Sequence, residues 1–138
     1  MDAKKYLEQY EKIDTMILNK TFEAEKWDAL AQSITASIGN ERVQSSGSQQ
    51  KMADAINKSI DMKSEIETLV SKKKEITDTI EQIPMLEYDI LHRVYIQGKT
   101  LKEVQAEMKR QYTWITTVHG RALQYVQEIL DKREYETV

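Results

Sequence analysis

The sequence predicts an all-α protein: a long, coiled-coil-like antiparallel helical hairpin followed by a small helix-turn-helix module. Apolar residues recur at steps of three and four over most of the chain, which is the period of an amphipathic helix. The 138 residues include only one proline and four glycines, fewer turn residues than sheets need. Because Pro84 interrupts the pattern, we expect the hairpin in residues 1–83 and the module in residues 84–138.

The first arm of the predicted hairpin covers about residues 4–38. At 1.5 Å per residue it would be about 50 Å long, and a helix of that length needs a partner along its apolar stripe. Charged side chains flank the stripe as they do on a solvated face. The stripe consists of Leu7, Tyr10, Ile13, Ile17, Ala24, Trp27, Ala31 and Ile34.

A loop is predicted over residues 39–50, where the apolar pattern stops. Gly39-Asn40 is typical of a helix end, and the segment Ser45-Ser46-Gly47-Ser48 is small and polar. Either Ser46, paired with Gln49, or Ser48 alone would cap the next helix.

The second arm covers about residues 52–83 and has the same length as the first. Two equal arms joined by a flexible loop favour an antiparallel hairpin. Because each stripe is narrow, we expect two hairpins to associate into a homo-dimer or a higher oligomer. The second stripe consists of Met52, Ile56, Ile60 or Ser59, Ile66, Leu69, Val70, Ile76, Ile80 and Ile83.

Three shorter apolar patterns follow Pro84 and predict three helices. Gly98 is placed where a helix ends in a left-handed residue, and Thr100 with Glu103 forms a capping box for the next helix. The period is lost after Leu130, so we expect the tail to fray. The three stripes are Leu86, Ile90, Leu91, Val94 and Tyr95; Leu101, Val104 and Met108; and Ile115, Val118, Ala122, Leu123 and Val126.

The charge distribution limits the kind of nucleic-acid binding to expect. The net charge is −3, which argues against sequence-blind binding. Residues 1–83 carry 12 basic and 15 acidic side chains, whereas residues 84–138 carry 8 of each. Basic residues outnumber acidic ones between Arg93 and Arg121, so we expect weak phosphate contact that needs a dimer or another partner.

The sequence indicates neither an enzyme nor a membrane protein. It has no cysteine, which fits a reducing cytoplasm, and no apolar run of the length a membrane span needs. His92 and His119 are not spaced as metal ligands. Gly98-Lys99-Thr100 lacks the upstream glycine of a phosphate loop. We therefore expect no catalytic residue, no metal and no cofactor.

The last of the three helices carries polar residues suited to contact with DNA. Threonine is a mediocre helix former, so several threonines on one helix surface favour contacts with base edges and phosphates. Trp114 either packs in the core or contacts DNA. The candidate DNA-binding residues are Lys109, Arg110, Gln111, Tyr112, Thr113, Thr116, Thr117, His119 and Arg121. Lys109, Arg110 and Arg121 either contact phosphates or belong to a solvated surface, while His119 points either to phosphate or along the helix edge.

The segment from Thr100 to Leu123 resembles the promoter −35-binding region at the C-terminus of bacterial primary sigma factors. Thr100-Leu101-Lys102-Glu103-Val104 and Arg121-Ala122-Leu123 match it without gaps. The resemblance implies that Tyr112, Thr113, Thr116 and Thr117 are base-contacting positions, with Gln111 at the cap. The family's turn glycine is Lys109 here, and its charged Arg/Glu positions are Tyr and Thr. The resemblance therefore implies the same fold, but it does not imply the same promoter sequence.

Most of the chain, from Tyr6 to Leu130, resembles small phage and prophage transcription regulators of Gram-positive bacteria, near the ArpU-type late-gene regulators. The local match is residues 43–49, Val-Gln-Ser-Ser-Gly-Ser-Gln, with residues 51–55. The resemblance implies a regulator that binds double-stranded DNA, and possible contact with host RNA polymerase, in the bacterial cytoplasm. It also offers a second role for the 39–50 loop, contact with polymerase or DNA rather than a simple turn.

Two other classes of protein share these features. A small-terminase-like DNA-packaging protein also joins a helix-turn-helix to oligomerising helices, and a ring of subunits in native mass spectrometry would indicate it. A purely structural helical interaction protein would fit the neutral charge of residues 84–138. Absence of DNA binding at low salt would indicate that class.

Overall fold

The computed structural model describes residues 1–40 and 46–136. All regular secondary structure within these residues is helical, which confirms the all-α prediction. The helices are α1 (Ala3–Asn40), α2 (Ser46–Ile80), α3 (Met85–Leu91), a π-helical segment (His92–Ile96), α4 (Leu101–Met108) and α5 (Tyr112–Glu136).

The chain forms two compact units. Unit 1 consists of Met1–Asp14 with Lys72–Val138, and unit 2 of Thr15–Ser71. This division differs from the boundary predicted at Pro84. It differs because the start of α1 and the end of α2 are buried: Leu7 and Ile80 have no exposed surface.

The core of unit 1 consists of large aliphatic side chains. Near this core, the Tyr6 hydroxyl lies 3.1 Å from that of Thr79, which donates to the Glu75 carbonyl at 2.8 Å. These contacts satisfy two buried polar groups, which would otherwise be costly to bury. The fully buried aliphatic residues of unit 1 are Leu7, Ile76, Ile80, Ile90, Leu91, Val104, Ile115, Val118, Ala122 and Val126.

The predicted fraying after Leu130 is wrong, because α5 continues to Glu136. Polar contacts with the start of the chain replace the missing apolar stripe. The Met1 ammonium lies 2.7 Å from Glu134 Oε1. The Gln127 side chain accepts from the Ala3 N–H and donates to the Met1 carbonyl, both at 2.8 Å.

Unit 2 contains segments of α1 and α2 that run in opposite directions. Lys20 pairs with Glu65 at 2.7 Å, and further along α1 the Asp28 carboxylate accepts from the Ser59 hydroxyl. As residue numbers rise along α1, those of the contacting residues fall along α2. Lys58 Nζ also lies 4.4 Å from the centre of the Trp27 ring, covering its face.

The predicted loop over residues 39–50 is wrong at both edges. Gly39 and Asn40 belong to α1, and residues 46–50 belong to α2. Small residues are tolerated in a first helical turn, where the backbone N–H groups lack helical partners in any case. The remainder of that prediction, residues 41–45, lies outside the described residues, as does the predicted capping by the Ser46 side chain.

The first helix after Pro84 has two parts. Pro84 is the N-cap of α3, and at His92 the α-helix gives way to the π-helical segment, closed by a 2.9 Å hydrogen bond from Gln97 N–H to the His92 carbonyl. Leu86, predicted in the apolar stripe, is 38% exposed, while Glu87 beside it is buried. Tyr95 is buried, as its stripe position predicts.

Candidate nucleic-acid interface

Helix α4 has the start that its sequence predicts. Gly98 adopts a left-handed conformation, with φ of 74°. Thr100 is extended, and its side-chain oxygen accepts from the Glu103 N–H at 3.2 Å. The Thr100 hydroxyl also lies 3.2 Å from Glu103 Oε1 and donates to it. These local bonds satisfy a backbone donor that the first helical turn leaves unpaired, and they set where α4 begins.

The turn between α4 and α5 depends on Lys109. Lys109 has φ of 55° and ψ of 46°, and its N–H donates to the Gln105 carbonyl at 2.9 Å. A left-handed conformation at a residue other than glycine costs about 1 kcal/mol. The next helix starts at once, since the Gln111 carbonyl accepts from the Ile115 N–H at 3.1 Å.

The first turns of α5 present different faces to the core and to solvent. Ile115 and Val118 are buried on the core side, in the stripe that the sequence predicts. Tyr112 is 43% exposed. Thr113 and Thr117 are exposed, and Thr116 is half-buried. None of the three threonines lies in the apolar interior, so all three positions can be reached from solvent.

The hydroxyls of Thr116 and Thr117 have local partners. Both donate to the Thr113 carbonyl, at 3.0 Å and 2.8 Å. Such bonds fix the rotamers, orient the methyl groups and leave the hydroxyl oxygens free to accept. A helix surface of this kind can offer both methyl groups and acceptors to a ligand in a groove.

Lys109, Arg110, Gln111 and Trp114 together line an open depression of about 320 Å³. The Arg110 guanidinium lies 4.9 Å from the centre of the Trp114 ring, within range of a cation–π contact. Trp114 is half-buried and packs against the core cluster that includes Ile115. The tryptophan therefore contacts the core and also supports Arg110 at the surface.

Two of the basic residues between 93 and 121 are engaged by Glu107. Its Oε1 lies 2.8 Å from Lys99 Nζ and 2.6 Å from Arg93 Nη1. The hydrogen bond from Lys99 and the two nearby cations lower the pKa of Glu107, so it remains ionised. Arg93 also donates to Asp89 at 3.1 Å, and this bond raises the pKa of Arg93.

Arg121, a predicted phosphate contact, pairs with a carboxylate that sequence reasoning missed. Arg121 Nε donates to Glu87 Oε1 at 2.7 Å, and Glu87 is 6% exposed. Glu87 lies three residues before Ile90 and seven before Val94, so it occupies an apolar-stripe position. A charged residue in that register was a signal of a buried partner.

His119 lies beside Tyr95. It is further along α5 than the residues that follow the Lys109–Gln111 turn directly. Its Nε2 is 3.0 Å from the Tyr95 hydroxyl, and the two rings stack with centroids 5.8 Å apart. Burial, with a smaller contribution from the charge of Lys4, lowers the pKa of His119. Burial raises the pKa of Tyr95 to about 12, helped by Glu8 and Asp2. At neutral pH the pair is uncharged.

Lys102, Lys109 and Arg110 are the cations of this region that remain unpaired. Within the described part of the chain, no carboxylate oxygen lies within 4.0 Å of their charged groups. The structure thus brings Lys109, Arg110 and Gln111 together at the start of α5 with Tyr112 and the threonines. His119 and Arg121 have side-chain partners of their own, Tyr95 and Glu87.

Comparisons of the chain with protein-family models, with curated proteins and with solved structures find no match. Within residues 1–40 and 46–136, no group of three or more His, Cys, Asp or Glu side chains is arranged to hold a metal ion. No helix of the described residues is both long enough and apolar enough to cross a bilayer.

Proposed function

We propose that the protein is a sequence-specific, DNA-binding transcription regulator of the phage or prophage kind. In this proposal α4 and α5 form a sigma-like helix-turn-helix, and α1 and α2 form the helical hairpin that carries it. The observation that carries the proposal is the start of α5: three threonines accessible to solvent opposite a buried apolar stripe, next to two unpaired cations. That combination suits a helix lying in the major groove.

Each candidate residue has a proposed contact. Gln111, Tyr112 and Thr113 face base edges at the start of the helix, followed by Thr116 and Thr117 one turn later. Threonine methyl groups suit the methyl group of thymine, while their oxygens accept from adenine or cytosine amino groups.

The basic residues position the protein on the DNA backbone. Lys109 and Arg110 contact phosphates, and Trp114 supports Arg110 through its ring. Arg121 keeps guanidinium N–H groups beyond the one it gives to Glu87, so it can add a phosphate contact. His119 holds the helix edge through Tyr95.

The proposed partners are double-stranded DNA, host RNA polymerase and a second copy of the chain, in the bacterial cytoplasm. Few unpaired cations mean few phosphate contacts for each copy, so two copies on one site would supply the affinity that one lacks. The sigma-like resemblance supports action at a promoter or together with polymerase.

Selection of genomic fragments with the purified full-length protein, followed by footprinting, tests the proposal. We expect one family of fragments and a protected site. The variant Thr113→Val, which has the same shape but no hydroxyl, should change the preferred bases while leaving the far-ultraviolet circular dichroism spectrum unchanged. Random fragments, or no retained DNA at low salt, would reject the proposal.

The salt dependence of binding tests the phosphate contacts. Lys109→Gly with Arg110→Gln removes two cations per copy and should make the slope of log affinity against log salt shallower by about two for each copy bound. The control is Lys5→Gln with Lys72→Gln, which removes two exposed cations elsewhere and should keep the slope. Equal slopes for the two variants would argue against contacts at the turn.

A structural interaction protein is the second candidate, favoured by one observation. Arg93, Lys99 and Arg121 are paired with carboxylates of the same unit, which removes half of the basic residues counted between 93 and 121 from the free surface. Binding of a protein partner with no DNA retained at low salt would favour this function.

A further inference from the structure

Within the described residues, unit 2 buries mainly small side chains and leaves several large apolar ones exposed. Among residues 15–34 and 47–71, the buried positions include one large residue; they are Ala24, Ala31, Ala55, Ser59 and Leu69. Its exposed large apolar residues are Met16, Leu18, Phe22, Leu30, Ile56, Ile60 and Val70. Large apolar side chains that two helices do not bury between them leave apolar surface for another partner.

Part of this apolar surface is an ordered stripe on α2. Ile56, Ile60, Lys63, Glu67 and Val70 follow one another at steps of four, three, four and three, and all five are exposed. These steps place them on one face of the helix with the spacing of a coiled-coil seam. We define these five residues as the α2 stripe. Its two charged members lie between apolar ones.

We propose that the α2 stripe is the site of self-association, where it packs antiparallel against the α2 stripe of a second copy. With the two-fold axis at the level of Glu65, Ile60 lies opposite Val70 of the second copy. In the same register Lys63 lies opposite Glu67. Because the axis repeats every pair, one interface contains two apolar pairs and two ion pairs.

Charge complementarity argues for a second copy in this orientation. A parallel pairing would place Lys63 against Lys63 and Glu67 against Glu67, which is repulsive twice. In the antiparallel register, two attractive pairs of Lys63 with Glu67 replace the two repulsive pairs. Lys63 already lies 3.1 Å from Asp28, but this pair is largely exposed, and an ammonium has three donors. Lys63 can therefore bind Glu67 of the second copy as well.

This inference rests on the second-copy part of the proposed function and names its surface, and all the residues that form this surface belong to unit 2. The two ideas fail separately. A monomer that still selects specific DNA would overturn the interface and keep the regulator. A dimer of this geometry that retains no DNA would keep the interface and overturn the regulator.

Disulfide cross-linking tests the register, because the sequence has no cysteine of its own. Full-length Ile60→Cys and Val70→Cys chains are purified separately with tags of different mass, mixed, and oxidised. We expect a mixed disulfide dimer and little product from either chain alone. Identical positions in the two copies would be about 15 Å apart along the helices, which is too far for a disulfide.

The outcomes of cross-linking are distinct. Strong dimers from each single-cysteine chain alone would indicate parallel packing and overturn the proposal. No disulfide in any mixture, with a monomeric wild-type chain at tens of micromolar by analytical ultracentrifugation, would overturn self-association through this stripe. In that case the apolar surface would belong to another partner.

Charge reversal supplies an independent readout in the same full-length protein. Lys63→Glu alone should raise the dimer dissociation constant about tenfold, because two like-charge pairs form. Lys63→Glu with Glu67→Lys should restore the wild-type constant. The control Met85→Asp changes an exposed apolar residue of unit 1 and should leave the constant unchanged. Failure of the double reversal to restore dimerisation would overturn the register.

Discussion

Unit 1 and unit 2 are both helical, but they bury different kinds of side chain. Unit 1 packs large aliphatic residues such as Leu91, Ile115 and Val118 at its centre, whereas the buried positions among the described residues of unit 2 are mainly alanine and serine. Burial of an aliphatic side chain contributes about 1.5–3 kcal/mol, and alanine contributes much less. The difference indicates that side-chain burial stabilises unit 1 more strongly than unit 2.

Matched leucine substitutions give the largest expected contrast between the units. Leu91→Ala in unit 1 should lower the free energy of unfolding by about 3 kcal/mol, because Leu91 has no exposed surface and its loss leaves a cavity. Leu18→Ala in unit 2 should change it by less than about 0.5 kcal/mol, because Leu18 is 68% exposed. Urea denaturation measures both, and equal losses would contradict the difference between the cores.

Loss of the Glu87–Arg121 ion pair should have the next largest effect on the free energy of unfolding. Arg121→Ala should lower the free energy of unfolding by about 1.5 kcal/mol, because it leaves a buried carboxylate without its partner. The double variant Arg121→Ala with Glu87→Leu should recover most of the loss. Thermal unfolding measures both variants. If Arg121→Ala unfolds like the wild type but binds DNA more weakly, then Arg121 acts at the DNA rather than in the fold.

A lysine-to-glycine substitution should change the free energy of unfolding in opposite directions in the two units. Lys109→Gly should raise the free energy of unfolding by about 1 kcal/mol, because glycine accepts φ of 55° without strain. Lys51→Gly, at an exposed position within α2, should lower it by a similar amount because glycine is a poor helix former. A loss at both positions would mean that Lys109 makes a contact worth more than its strain.

The smallest effect should be a fall in stability between pH 7 and pH 5 that arises in unit 1, which contains both histidines of the sequence. His119 has a pKa below 6.5 in the folded protein. Above pH 6.5 the His119 side chain is neutral in both the folded and the unfolded protein. Below pH 6.5 the unfolded protein binds the proton first, because the pKa of His119 is lower in the folded protein. Stability should therefore fall as the pH drops from 6.5 through the folded pKa. His119→Gln should remove that part of the fall between pH 7 and pH 5, and an unchanged profile would contradict it.

Local features of the fold could be predicted from the sequence because they depend on near neighbours. The left-handed Gly98, the Thr100 cap and the break at Pro84 are each determined within four residues. The buried stripe of α5 follows in the same way, since helical spacing alone separates Ile115 from Thr113. The accessible threonines of the candidate site were predictable for this reason.

Features that depend on distant residues could not be predicted in this way. The pairing of Glu107 with Arg93 and Lys99 joins α4 to the π-helical segment and to the loop before α4, so counting charges overestimated the free basic surface. The order of α5 beyond Leu130 depends on Met1 and Gln127, which are far apart in sequence. Periodicity within one helix carries no information about such contacts.

The most direct test of the proposed function maps DNA contacts onto the two units. Backbone amide NMR shifts are recorded for the full-length protein while a duplex from the fragment selection is added. The regulator proposal predicts shifts concentrated on residues 109–117 and absent from the α2 stripe. Shifts confined to unit 2, or none at a salt concentration that permits non-specific binding, would contradict it.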